Sequence, residues 1–439
     1  MMKVLIVGGG GREHAIAWKL AQSSQVSRIY AAPGNAGMAQ VAECLPIAAS
    51  DIEGLLKFAD ENSIDLTVVG PEIPLIAGIV DVFEQKGLRI FGPAREPAML
   101  EGSKAFAKGL MLRSQIPTAY FSVFHDAADA KQYASEQLKL NHGKPIVVKA
   151  DGEAAGKGVI ICDTEAQASD AIDLIMVERA FGDSGSRVVI EEFLEGQEAS
   201  LMAFTDGSTI IPMVPAQDHK RAFDGDLGPN TGGMGCYAPV PIITEAVYKD
   251  AVERIIRPAV EAIRETGIPY KGVIYAGIIV QPTGEIKTLE FNCRFGDPET
   301  QTLLPLLETD LLDILIGVTD AHLDKVEVVW KAQASVSVAI ASGGYPGPYQ
   351  TGHPIDGLEQ VAHLSDVAVF HAGTTIQDDH IVTNGGRVLN VTAVGDDFEQ
   401  ARARAYAAVK NIHFDAMHFR SDIGHRAMVQ VASDESLKS

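Results

Sequence analysis

Four short apolar runs in the first hundred residues, each stopped by glycine or proline, constrain this chain most. They span 3–7, 28–32, 66–69 and 88–91, and they end at 8–11, 33–37, 70–72 and 92–93. An amphipathic stretch, 12 to about 21, follows the first. Runs this short, buried on both faces and alternating with helices, predict a parallel, doubly wound sheet. In such sheets ligands sit beyond the carboxyl ends of the strands, where the Gly/Pro clusters fall.

At 439 residues the chain is long enough for roughly three domains of about 150 residues. A net charge of −22 repels phosphate backbones, so neither nucleic acid nor an anionic membrane is an expected partner. Small anions held in local basic pockets stay compatible with it. No apolar run approaches the roughly 18 residues of a membrane helix, and the N-terminal run is too short for a signal peptide. Cys44, Cys162, Cys236 and Cys293 are too scattered for a metal or disulfide framework, which predicts a reducing, cytoplasmic setting. Nothing in the sequence calls for an obligatory protein partner.

Beyond residue 140 the pattern changes. Strands are predicted at 145–149, 158–161, 187–193, 199–205 and 209–216. Residues 217–241 carry glycines, prolines and charges without periodicity and are expected to form a long functional loop, a lid. A helix near 245–265 follows, then a hairpin, 272–281 and 285–292, around 282–284. Strands at 335–341, 368–373 and 387–394, a helix over 398–410 and a frayed tail at 433–439 complete the reading.

Five segments carry chemistry. Gly8-Gly9-Gly10-Gly11-Arg12-Glu13-His14 is a strand–glycine loop–helix that fails the dinucleotide pattern G-x-G-x-x-G, because Glu13 or His14 stands at its last position. Exposed amides at the helix start, with Arg12, suit a phosphate; a plain tight turn is the alternative. Residues 152–158 are not a Walker loop, since only three residues separate the glycines and Gly158 stands where Ser or Thr is needed. They predict a hairpin tip over a polyphosphate, flanked by Lys149 and Lys157. Residues 191–198 end an apolar strand in a run of carboxylates suited to adenosine, or else form a simple acidic loop. In 288–297, alternation places Leu289 and Phe291 on the core face and Thr288, Glu290 and Asn292 opposite, a partial cage for Mg²⁺. Finally, Lys220 and Arg221 in the expected lid suit an anionic substrate.

In this order the segments resemble the ATP-grasp superfamily, and within it the phosphoribosylamine–glycine ligase family of purine biosynthesis. Residues 8–14, 33–37, 69–72, 100–104, 149–158, 217–221, 228–235 and 290–299 carry the likeness over nearly the whole chain; Glu290-Phe-Asn-Cys-Arg-Phe-Gly-Asp-Pro-Glu299 is its most specific part. The resemblance implies a multi-domain α/β chain: a doubly wound parallel-sheet domain (1–103), a linker and small lid domain (104–190), a central ATP-grasp domain (191–330), both with antiparallel sheets, and a small strand-rich C-terminal domain (331–439). It implies ATP, glycine and 5-phosphoribosylamine as substrates, with Mg²⁺ or Mn²⁺. Carried onto this sequence, it puts Lys104, Lys149, Gly156, Lys157, Gly158, Glu191, Glu192, Phe193, Leu194 and Glu198 on ATP. Glu290 and Asn292 take the metal. Gly9, Gly10, Gly11, Arg12, Glu13, Gly34, Asn35, Gly37, Pro71, Glu72, Asp218 and Arg221 take substrate. Arg294 is expected at the glycine carboxylate and the transferring phosphoryl, Lys220 in catalysis, and Asp297 or Asp218 at the glycine ammonium. Many ATP-grasp enzymes carry a further acidic metal ligand on the preceding strand; 273–280 has none, which leaves the number of metal ions open. Another ATP-grasp ligase or carboxylase would share the ATP residues. A dinucleotide-binding dehydrogenase would share only the first strand–loop–helix.

Overall fold

Strand Met2–Gly8 has parallel partners on both sides, Val26–Pro33 and Leu66–Val69, so Val4 through Val7 are wholly buried. With Glu43–Cys44 and Ile90–Phe91 at the edges, the sheet runs in the order 3-2-1-4-5. The order in which strands are added reverses beside Met2–Gly8, which opens a crevice at the carboxyl ends of the strands. The computed structural model describes residues 1–141, 143–152 and 158–429. Gly156 and Lys157 lie outside the described residues, as does the tail at 433–439.

Two antiparallel sheets follow. One orders Phe121–Phe124, Val188–Glu192, Ile146–Ala150 and Val159–Cys162; the other orders Ile210–Pro212, Gln197–Thr205, Gly272–Val280 and Ile286–Asn292. They meet where Thr288 N–H donates to the Pro117 carbonyl at 2.7 Å.

A bulge in the last strand corrects the expected alternation. Gly277 pairs Glu290, but Ile278 pairs Thr288, so Leu289 is one residue too many. An extra residue flips every side chain before it to the other face. Thr288 therefore joins the Phe291 face and is wholly buried, while partly buried Leu289 packs with Ala119, Leu194 and Ile279 at the junction of the two sheets. Glu290 and Asn292 keep their shared face.

The long loop expected at 217–241 is largely strand. Gly235–Ala238 lies between Gln217–Asp218 and Ala334–Ser342 in a sheet continued by Arg387–Gly395 and Val367–His371. Long-range pairing there overrides a local sequence of glycines and polar residues. Hairpin Arg221–Phe223 and Leu227–Asn230 is fastened to the C-terminal segment. Arg420, 1% exposed, bonds Asp226, Asp422 and the Arg221 carbonyl, and Asp422 accepts from Gly225 N–H at 2.8 Å. The predicted helix runs from Glu245 to Arg264 with one widened turn at Val252–Ile256. No described helix is long and apolar enough to cross a membrane.

Candidate active site

Charged side chains cluster where the antiparallel sheets meet. Glu191, at the end of its strand, receives Lys108 at 2.9 Å and Lys149 at 3.0 Å on the same oxygen, Oε2. Its other oxygen is buried and lacks a partner among the described residues. Lys108 is absent from the sequence-predicted set, because on helix Lys104–Arg113 it reads as an ordinary surface lysine. It is instead 2% exposed, donates to Thr118 Oγ1, and burial outweighs Glu191 to lower its ammonium to about 8. Glu192 is held by Lys287 and by the amide of Tyr120. Leu194 and Leu289 add an apolar wall. Lys104 Nζ donates to the Gly152 carbonyl at 2.9 Å, at the root of the glycine-rich tip. Asp151 anchors that root by accepting from Ser103 Oγ and Ala105 N–H.

Glu290 lies beneath this wall. Burial works against its charge, but Lys220, Lys149, Lys104 and Arg294 hold the carboxyl below the usual glutamate range. Among the described residues neither Glu290 nor Asn292 makes a side-chain hydrogen bond or ion pair. Two unengaged oxygen donors on one face, one ionised, fit a hard cation that takes its remaining ligands from phosphate and water. Among the described residues no group of three or more His, Cys, Asp or Glu side chains is placed to hold a metal ion.

Arg294 is a held charge. Its Nε meets Glu72 at 2.7 Å, its Nη2 meets Glu101 at 2.8 Å, and its Nη1 donates to the Phe295 carbonyl. Burial opposes the charge on Glu72, yet Arg294 and Arg12 hold its carboxyl at about 2. Glu101, which sequence reasoning missed, also accepts from the Cys293 amide and thiol through Oε2. Cys293 is fully buried, its thiol pushed up by burial and by Glu101. Phe295 stacks on Phe91, tying this turn to the parallel sheet.

At the crevice of that sheet, a cavity of about 370 Å³ is lined by Gly9, Gly10, Gly34, Asn35, Asp297, Gly373, Thr374, Asn384 and Arg387. Its volume suits a small ligand. Several of the residues expected at substrate here are engaged within the protein. The Gly10 amide donates to Glu13 Oε2 at 2.7 Å, in a reciprocal helix cap, and is not free for phosphate. Arg12, 6% exposed, bonds Glu13 Oε1 and the Phe295 carbonyl, so it braces the helix and lies outside the cavity lining. Gly37 and Gly11 are packing positions, against His14 and His371 and against Gln301. Asn35 uses its amide on the Gly9 and His371 carbonyls and its oxygen on the Gly37 and Met38 amides, which fixes the second loop. The cavity's cation is Arg387, from a strand nearly 400 residues downstream. It meets Asp297 Oδ2 at 3.0 Å and also bonds the Gly232 carbonyl.

A second, much smaller cavity of about 10 Å³ lies beside Glu198, Ser200, Asp218, Lys220, Tyr275 and Gly277. Lys220 pairs Glu198 at 3.0 Å, and Glu198 in turn raises the ammonium above the usual lysine range. Arg221 donates within its own hairpin, to the Gly228 carbonyl. Pro71 caps the short helix that begins at Glu72. Gly158 accepts from the Ala150 amide, and Phe193 is half-buried. The two carboxylates weighed for one ammonium, Asp218 and Asp297, thus line different cavities.

Comparison with known proteins identifies the family. Three phosphoribosylglycinamide synthetase domains match in order: the N domain over 2–101, the ATP-grasp (A) domain over 102–300 and the C domain over 335–426. The phosphoribosylamine–glycine ligase of Vibrio parahaemolyticus is 50% identical over 98% of this chain and 99% of its own. That of Nostoc is 50% identical over 97% and 99%. The crystal structure of the Thermotoga maritima ligase superposes with a TM-score of 0.83 at 32% identity, covering 96% of this chain and 99% of that one. Biotin carboxylase of Campylobacter jejuni, 14% identical with a TM-score of 0.72 over 95% and 92%, shares the fold. The chain belongs to the phosphoribosylglycinamide synthetase family.

Proposed function

We propose that this chain joins glycine to 5-phosphoribosylamine at the expense of ATP, releasing ADP and phosphate, through a glycyl phosphate. The observation that carries the reading is Glu290, which makes no side-chain hydrogen bond or ion pair among the described residues and is held below the usual glutamate range by Lys220, Lys149, Lys104 and Arg294. Phosphoryl transfer asks for such concentrated, pre-placed charge.

In this reading the adenosine lies against Leu194 and Leu289, with Glu191, Glu192, Phe193 and Glu198 at its polar edges. Lys104 and Lys149 face the phosphates, to which Gly156, Lys157 and Gly158 are also assigned. Glu290 and Asn292 hold Mg²⁺ or Mn²⁺, which supplies charge neutralisation at the phosphates when bound. Lys220 orients the glycine carboxylate, and one carboxylate oxygen attacks the γ-phosphorus while the bond to ADP breaks. Arg294, held by Glu72 and Glu101, contributes fixed positive charge beside the reacting phosphoryl. The amino sugar occupies the cavity of Gly9, Gly10, Gly34, Asp297 and Arg387. Its amine attacks the acyl carbon, sheds a proton, and phosphate leaves with one former carboxylate oxygen. No Ser or Cys nucleophile is needed, in keeping with the buried thiol of Cys293.

ADP release with glycine and freshly generated phosphoribosylamine, each omitted in turn, tests the substrates. Glycine labelled with oxygen-18 in its carboxylate tests the intermediate: each inorganic phosphate should carry one labelled oxygen. Unlabelled phosphate with normal product would overturn the glycyl phosphate.

A further inference from the structure

We infer that His371 is a positioning residue of the amino-sugar cavity: it holds two of the cavity's wall residues, Asn35 and Thr374, from behind. The inference rests on the proposed function for the identity of the ligand there.

His371 ends the strand Val367–His371, and three of its polar groups reach three separate residues. Its carbonyl accepts from Asn35 Nδ2 at 2.7 Å. Its ring Nδ1 lies 3.1 Å from Thr374 Oγ1. Its amide donates to His14 Nδ1 at 2.8 Å, which anchors the strand end on the first helix, Gly11–Leu20. Asn35 and Thr374 line the 370 Å³ cavity, whereas His371, 3% exposed, is not part of the lining.

The chemistry of the two wall residues makes that support matter. Asn35 has two N–H donors and one oxygen with two lone pairs. The donors go to the His371 and Gly9 carbonyls, and the oxygen takes the Gly37 and Met38 amides. Asn35 therefore has nothing left to offer a ligand, and its effect on the cavity is to fix the Gly9 loop against His371. Thr374 differs. A hydroxyl has one proton and two lone pairs, and the bond to His371 uses one of these. If the ring donates, the hydroxyl proton is left for the cavity; if the hydroxyl donates, its lone pairs are. In either tautomer a free rotor becomes a directed group, as a site for a small polar ligand requires.

The imidazole has no room to turn away. A Cβ on Gly37 would stand 2.5 Å from His371 Cδ2 and Cγ and 2.4 Å from His14 Cε1, so the 34–37 loop is pressed against both rings. Burial lowers their pKa values, to about 3 for His14 and about 4 for His371, which keeps His14 Nδ1 an acceptor at neutral pH. Beyond His371, the Ala372 and Gly373 amides donate to the Val388 and Arg387 carbonyls. A displacement of His371 therefore carries to the strand that holds Arg387, the cavity's cation.

Two readouts test the inference: steady-state ADP release by the full chain, and calorimetric binding of ribose 5-phosphate, a stable stand-in for the amino sugar. His371→Phe keeps the ring volume and loses Nδ1. It should raise KM for phosphoribosylamine and weaken ribose 5-phosphate binding by roughly 3- to 10-fold, the value of about one net hydrogen bond, and leave KM for ATP and for glycine within about two-fold. His371→Asn, whose amide falls where Nδ1 stood, should recover most of the loss. Thr374→Val should raise the same KM by as much or more. The double variant His371→Phe/Thr374→Val should do no worse than the larger single change, because the two groups share one bond. Equal rises in KM for all three substrates, unchanged affinity for ribose 5-phosphate in His371→Phe, or additive losses in the double variant would overturn the inference. If the native chain released no ADP with glycine and phosphoribosylamine, the proposed function would fail, and ribose 5-phosphate binding would still decide the role of His371.

Discussion

Arg387 Nη2 lies 3.0 Å from Asp297 Oδ2, and this pair joins a C-terminal strand to the turn that follows the Glu290 strand. Each side chain keeps only 17–18% of its exposure. Burial raises the Asp297 carboxyl, but Arg387 and Arg12 outweigh it and hold the group below the usual aspartate range. Arg387→Met would leave that charge unpaired at the cavity wall. Removing one partner of a fully buried pair costs about 3–5 kcal/mol, and the residual exposure here lowers the expectation to about 2–3 kcal/mol. Thermal unfolding should show the loss, and KM for phosphoribosylamine should rise more than KM for ATP. A larger effect on ATP would place the cavity in the wrong role.

Glu290→Gln should abolish most turnover, by about 10²-fold or more, while the fold survives. Among the described residues the carboxylate makes no hydrogen bond or ion pair, so the substitution removes its charge and little else. Glu290→Gln should also require more Mg²⁺ for its residual activity, and Asn292→Ala should do the same more mildly. Metal titration of ADP release is the measurement; an unchanged requirement would remove both residues from the metal site.

The parallel sheet was legible in the sequence because its strands are apolar on both faces and stopped by glycine, so position and direction follow from local pattern. The Glu290 strand was legible in place but not in register. Its bulge depends on how Gly277 and Ile278 pair across the hairpin, which alternation along one strand does not reveal. Asp218 and Gly235–Ala238 were misread as loop because Asp218 pairs with Cys236, and Gly235–Ala238 in turn pairs with a strand about a hundred residues on, Ala334–Ser342. Lys108, Glu101 and Arg387 stayed hidden for a related reason. Each is an unremarkable charge in its own segment and gains a role only from a partner 83 to 193 residues away.

Acid sensitivity should trace partly to His14. It is buried, its Nδ1 accepts the His371 amide at 2.8 Å, and burial with His371 nearby lowers its pKa from 6.5 to about 3. The unfolded chain therefore binds the extra proton between pH 6.5 and 3. The stabilisation is complete above pH 6.5 and is lost as pH falls through that window, by up to about 1.4 kcal/mol per unit. His219 and His371 act in the same sense, whereas Asp218 and Glu101, raised by burial, act in the opposite one. A difference measurement isolates the one group. In denaturant unfolding, the stability gap between the native chain and His14→Gln should shrink steadily from pH 6.5 to 5. A constant gap would mean that His14 is not held neutral.

The hairpin at 221–230 should be ordered before any nucleotide binds. Glycines at 225 and 228 suggest a mobile lid, but its bonds to the C-terminal segment are many and specific. Arg420 reaches Asp226 and the Arg221 carbonyl, Asp224 accepts from the Ser421 amide at 2.8 Å, and His418 bonds the Ala222 carbonyl while its ring meets Phe223 edge-on. Arg420 is the hub, with its three nitrogens engaged and almost no exposure. Arg420→Ala would leave Asp226 to Arg426 and Asp422 to the Gly225 amide, and so loosen the hairpin. Amide hydrogen exchange should find the hairpin protected in the free native chain, with little change on adding ATP analogue and Mg²⁺. In Arg420→Ala exchange at 221–230 should rise by at least 10-fold, matching the loss of about 1.5–3 kcal/mol per charged hydrogen bond, while the Met2–Gly8 strand stays protected. Fast exchange of this hairpin in the native chain, slowed only by nucleotide, would restore the closing lid and refute the tether.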